Sequence, residues 1–153
     1  MEKISDHVSY REGVRSNTAT RLDIDNTPSS YQLGNMTAVS HNLFEPLRKW
    51  VGGPIKINSF FRSEKLNSAI GGSRSSQHCQ GRAIDIDDTF GYKTNAEMFN
   101  YIKQNLNFDQ IIWEFGTDKN PDWIHVSFVS ADENRGKSLK ATKINGKTAY
   151  QLI

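Results

Sequence analysis

Two stretches carry the residue types that can hold a metal and move a proton: Ser76-Gln77-His78-Cys79-Gln80-Gly81-Arg82-Ala83-Ile84-Asp85 and, later in the chain, Asp122-Trp123-Ile124-His125. His78, Asp85 and His125 form a three-ligand set that leaves the fourth position of a tetrahedral Zn²⁺ open to water, as hydrolysis requires. A structural zinc site is instead closed, usually by several cysteines. A lone histidine is most often a hydrogen-bonded surface or core residue, so the case for this set rests on its spacing. Gly81 lies between His78 and Asp85, where a glycine lets a loop reverse closely before a strand begins. His7 and His41 lack such settings and read as structural or solvent-exposed.

Hydrolysis also needs a group that accepts a proton from water and passes it to the leaving amine. Asp122, three residues before His125, is the leading candidate. Strict strand alternation sends it to the face opposite His125, so its role requires a bend or a strand start, which Pro121 makes reasonable. Glu114, in Ile112-Trp113-Glu114-Phe115, is the competitor and reads as an exposed polar residue on an alternating strand. Arg62 suits a substrate carboxylate, because a guanidinium fork binds one with two prongs, although a surface salt bridge explains it equally well. Ser76 either donates a hydrogen bond to substrate or shapes the loop before His78. Asp87 and Asp88 read as a strand end, and Cys79 as a small buried thiol.

The elements that must position these groups follow from periodicity. Leu33, Met36, Val39, Leu43, Leu47 and Trp50 recur at helical spacing between Ser30 and Val51, with a kink or restart at Pro46. Ile55 to Phe60 alternates as a half-buried strand, Ser63 caps a short helix, and Gly71-Gly72 ends it. In Arg82 to Asp87, Ile84 and Ile86 face a core while Asp85 faces the other way. In Trp123 to Val129, Ile124, Val126 and Phe128 face the core and His125 points away. Thr94 caps a helix carrying Met98, Phe99, Ile102 and Leu106, and Phe108 to Phe115 reads as a further strand. Asn145-Gly146 between two strand-like runs predicts a C-terminal hairpin.

Helices early and antiparallel strands later predict an α+β fold, one domain over 1–153 with a central antiparallel sheet flanked by helices. Its parts are a helical region over about 1–54, a metal-site core over about 55–130 and a hairpin over about 137–153. A chain of 153 residues can bury a core without covalent staples, and its single cysteine excludes an intramolecular disulfide. A net charge of +2 with scattered lysines and arginines carries no basic stripe interleaved with aromatics, which argues against nucleic-acid binding. The N-terminus mixes charges and has no apolar run, so no signal peptide or membrane anchor is expected, and the protein is expected to be made in the cytoplasm as a monomer.

Together these residues resemble the zinc D-alanyl-D-alanine carboxypeptidases and the related phage endolysin peptidases. Their shared pattern is Ser-x-His, then Gly-x-Ala-x-Asp, then an acidic residue shortly before Trp/Ile-His. Ser76-Gln77-His78, Gly81-Arg82-Ala83-Ile84-Asp85 and Asp122-Trp123-Ile124-His125 match it, and Ser59 to Asn67 with Gly71-Gly72 is similar to the family's arginine-bearing segment. The resemblance implies His78, Asp85 and His125 as zinc ligands, Asp122 as general base and acid, and Arg62 and Ser76 as substrate contacts. It implies the stem peptides of bacterial peptidoglycan as substrate, cut by an endolysin-like endopeptidase that reaches the cell wall after release. D,D- or L,D-carboxypeptidase activity is the alternative. A non-catalytic zinc module is a third reading, since the hedgehog signalling domain resembles this family in fold and zinc site.

Overall fold

Short polar caps and strand alternation divide the chain into elements. In the computed structural model, which describes residues 1–153, the N-terminal region opens with a two-stranded antiparallel ribbon, β1 (Lys3–Ser5) and β2 (Val8–Ser9). The helical region expected over about 1–54 thus includes a short ribbon. Two short helices follow, α1 (Tyr10–Val14) and α2 (Asn17–Arg21), then α3 (Ser30–Val39). The helical periodicity from Ser30 to Val51 is real, but α3 passes through a π turn at Ser40–Phe44 before α4 (Glu45–Val51). Pro46 explains the interruption: it has no N–H to give the preceding turn and its ring crowds that turn, so the helix widens just before it.

After β3 (Lys56–Ser59), the Ser63 hydroxyl accepts the Leu66 N–H and starts α5 (Glu64–Ala69). β4 (Ala83–Asp87) is followed by α6 (Asn95–Asn105), which Thr94 and Glu97 close with a reciprocal capping box. The remaining strands are β5 (Gln110–Glu114), β6 (Trp123–Ser127), β7 (Lys137–Ile144) and β8 (Lys147–Leu152). Asn145 and Gly146 both take positive φ, 51° and 76°, as a two-residue hairpin turn between β7 and β8 requires.

The main sheet has the order β3-β4-β6-β5-β7-β8. All its pairings are antiparallel except β5 with β7, which is parallel. The expectation of an antiparallel sheet is therefore corrected to a mixed one. β6 is already flanked by β4 and β5, so the only free edge on that side belongs to β5. The chain returns through residues 128–136 to begin β7 level with Gln110, and so runs in the same direction as β5.

One face of the sheet is the core. Ile57, Ile84, Ile86, Ile111, Trp113, Ile124 and Val126 pack there with Met36, Val39, Leu47, Met98, Phe99 and Ile102 from the helices. Each such side chain contributes about 1.5–3 kcal/mol on burial. The residues between them face the other way, where no helix layer covers them, and that open face carries the polar chemistry. No helix is long and apolar enough to cross a membrane.

Candidate metal centre

Register brings the two sequence motifs together. On the open face Asp85 of β4 lies directly opposite His125 of β6, and His125 lies opposite Ile112 of β5. His78 comes from a single 3₁₀ turn, Gln77–Gln80, that ends at Gly81. Gly81 has φ 74°, and a Cβ there would sit 2.5 Å from the Gln32 carbonyl oxygen, so only glycine lets the chain turn under α3 into β4. One donor atom from each of His78, Asp85 and His125 lies within 4.8 Å of the others.

The protonation pattern suits a cation at their centre. His78 Nδ1 donates to the Phe60 carbonyl at 2.7 Å, which assigns the ring proton to Nδ1 and leaves a lone pair on Nε2. That Nε2 is buried, has no hydrogen-bond partner, and lies 3.2 Å from Asp85 Oδ1. A lone pair facing a carboxylate oxygen is repulsive unless positive charge lies between them. His125 Nδ1 lies 3.0 Å from the same oxygen. Burial holds the His78 imidazole below its ordinary pKa, against the pull of Asp85. Burial pushes the Asp85 carboxyl up, but His78 and His125 outweigh it and hold the group well below the usual carboxylate range. A neutral imidazole beside an ionised carboxylate is the state in which both are ligands. The donor set, two nitrogens and one oxygen, fits a borderline-soft dication such as Zn²⁺.

Arg62 fixes the other half of Asp85. Its Nη2 donates to Asp85 Oδ2 at 3.2 Å, Nε to the Ser59 hydroxyl at 3.0 Å and Nη1 to Asn67 Oδ1 at 3.3 Å. Asp85 thus keeps Oδ1 for the imidazoles. Ser76 caps the 3₁₀ turn, its Oγ accepting the His78 N–H at 3.3 Å, so it sets the path of the turn that carries His78. Both Arg62 and Ser76 line a cleft of about 880 Å³ that also contains His78, Asp85 and His125. Cys79 is half-buried and supplies no donor to the group.

The carboxylate beside the centre is Glu114, and Asp122 lies elsewhere. Glu114 is buried, lines the cleft and shares the open face with Ile112 and His125. Burial pushes its carboxyl up to about 7, with Asp85 adding to the rise and His125 and Arg62 opposing it. Asp122 is exposed and is not among the residues lining the cleft. Its N–H donates to the Glu114 carbonyl, and its own carbonyl accepts from Asn95. These bonds fix the backbone at a bend just before β6, which begins at Trp123. Asp122 thus stands at the bend expected there but outside the cleft, and the acidic side chain that lines the cleft with Asp85 is Glu114. Parity could have found it: a lone carboxylate between Trp113 and Phe115, on an otherwise apolar strand, is costly unless it faces something polar.

The family model described as Peptidase M15 matches residues 6–127, a span that contains His78, Asp85, Glu114 and His125. No match was found among curated proteins.

Proposed function

The chain belongs to the Peptidase M15 family, and from that premise we propose that it is a zinc-dependent peptidase that hydrolyses peptide bonds of bacterial peptidoglycan, acting as an endopeptidase. The observation that carries this reading is the buried, unpartnered Nε2 of His78, which converges with Asp85 and His125 beside a carboxyl raised to about 7. His78, Asp85 and His125 would hold the metal. When bound, zinc supplies Lewis acidity that makes water nucleophilic near neutral pH and polarises a carbonyl.

Glu114 accepts the proton of the attacking water and returns it to the leaving amine, a role that suits a carboxyl poised near the working pH. Arg62 and the Phe60 carbonyl act on Asp85 and His78, holding the ligands in the orientation and protonation state the metal needs. Ile112 and Leu139 floor the cleft beside the centre and give substrate an apolar bed. The cleft extends from Gly71 and Ser73 past the centre to Tyr150 and Leu152, leaving room for peptide on both sides of the scissile bond, which favours endopeptidase over carboxypeptidase action.

The test is incubation of the purified protein with peptidoglycan, with and without a chelator, and mass spectrometry of the released ends. New amino termini on polymeric wall, lost on chelation, are the expected result. Release of free D-Ala alone establishes the carboxypeptidase instead. Stoichiometric zinc with neither product leaves a binding module and overturns the peptidase reading.

A further inference from the structure

The family match ends at residue 127, yet the cleft does not. Its far wall is the C-terminal hairpin, which contributes Lys137, Leu139, Tyr150 and Leu152. Register explains how a segment so late in the chain reaches the centre. On the open face Asp85, His125, Ile112, Leu139 and Leu152 form one row across five strands, because each lies opposite the next. A second row runs Trp123, Glu114, Ala141, Tyr150, and a third runs Ser127, Gln110, Lys137. The metal centre and the hairpin are therefore parts of one continuous surface.

Three lysines or arginines line this cleft: Arg62, Arg135 and Lys137. Arg62 is committed to Asp85, Ser59 and Asn67. Arg135 grips Asp109 with two prongs, Nε to Oδ1 at 3.0 Å and Nη2 to Oδ2 at 2.8 Å, so its charge is matched. Lys137 is exposed, and its ammonium has no carboxylate partner within the chain. An unmatched cation at the edge of an apolar floor suits an extended peptide with a free carboxylate.

We propose that the β7–β8 hairpin is the specificity wall of the cleft, and that Lys137 binds a free carboxylate of the peptide substrate while Leu139, Tyr150 and Leu152 bed its apolar part. The proposal rests on the peptidase reading of the site. Lys137 stands two strands from His125 and two residues along the sheet. At strand spacings of about 4.8 Å and a rise of about 3.3 Å per residue, the bound carboxylate belongs about two to four residues from the bond at the centre. The carboxylate is either internal to the stem peptide or its C-terminus.

Three synthetic stem peptides distinguish these sources: one with every carboxylate free, one with the internal carboxylate amidated, and one with only the C-terminus amidated. With zinc-loaded protein, Lys137→Ala raises KM for the free peptide about 5-fold and leaves kcat unchanged, the size of an exposed ion pair. One of the amidations does the same to the wild type and has no further effect in the variant, and that amidation identifies the source. Equal KM values for variant and wild type overturn the proposal, as does a penalty that persists in full with each of the two amidated peptides. Thermal unfolding of Lys137→Ala at the wild-type temperature excludes a folding defect, as its exposure leads one to expect. Calorimetric titration of the same peptides into the metal-free protein separates the two readings. Lys137-dependent binding without any turnover upholds the wall and sinks the peptidase, whereas turnover indifferent to Lys137 sinks the wall alone.

Discussion

The side of the cleft built by β4 and β6 and the side built by the β7–β8 hairpin present residues on the same sheet face by the same alternation, yet they differ in what holds those residues still. On the first side His78, Asp85 and His125 are buried or nearly so, and each is oriented by a named bond to Phe60, Arg62 or another of the three. Of the hairpin residues that line the cleft, Lys137, Tyr150 and Leu152 stand exposed and only Leu139 is buried. Chemistry at a metal requires fixed donors, and fixing them takes burial and second partners. Reading a peptide along its length tolerates looser side chains, and an edge hairpin with few buried contacts is a place where sequence can change without unfolding the core.

The comparison breaks most completely at Asp85. Asp85→Ala is expected to abolish stoichiometric zinc binding, read by metal analysis of the purified protein. It is also expected to lower stability by about 3 kcal/mol, because Arg62 loses its carboxylate in a largely buried setting. Retained zinc in that variant contradicts the centre assigned here.

Glu114→Gln should keep the zinc and lose turnover by about 10²- to 10⁴-fold, the usual span for a general acid–base group. Asp122→Asn should turn over as the wild type does. The reverse ranking of the two variants would restore Asp122 as the base.

Gly81→Ala tests the rigidity of the turn that carries His78. With φ 74° and the Gln32 carbonyl in the way, it should cost about 1–3 kcal/mol in chemical denaturation and weaken zinc binding together.

A pH effect sharpens the contrast further. The Glu114 carboxyl is raised from an ordinary 4.5 to about 7 in the folded protein, so the folded state binds more protons than the unfolded state between those values. Its contribution to stability is fully present below about 4.5 and is lost as pH rises through about 7. Melting temperatures of the metal-free protein, compared with Glu114→Gln from pH 5 to pH 8, should show the wild type falling by a few degrees relative to the variant. Parallel curves would mean that Glu114 is not desolvated.

The smallest effect belongs to the hairpin. Gly146→Ala strains a residue at φ 76° and should cost about 1 kcal/mol, leaving zinc content and kcat unchanged. A loss of zinc on that substitution would show that the two walls are mechanically one.

Much of this is legible in the sequence. Ser63 and Thr94 cap their helices as their spacing predicts, because capping involves residues three apart in sequence. The asparagine–glycine turn specified its hairpin for the same local reason. Alternation put Ile84, Ile86, Ile124 and Val126 on the core face and Asp85 and His125 on the other. Alternation also set Asp122 apart from the face of Asp85 and His125, and the bend there, held by backbone bonds to Glu114 and Asn95, leaves it outside the cleft.

What local pattern could not supply was pairing. The ligand residue types, their faces and the glycine between His78 and Asp85 follow from short-range chemistry, so the sequence alone determined which three side chains could serve as metal donors. Which strand lies beside which depends on free edges and on where a long connection returns, and those are properties of the whole chain. Tertiary structure therefore decided that β7 pairs in parallel with β5, that Glu114 is buried beside His125, that Arg62 is occupied by Asp85, and that Lys137 reaches the cleft.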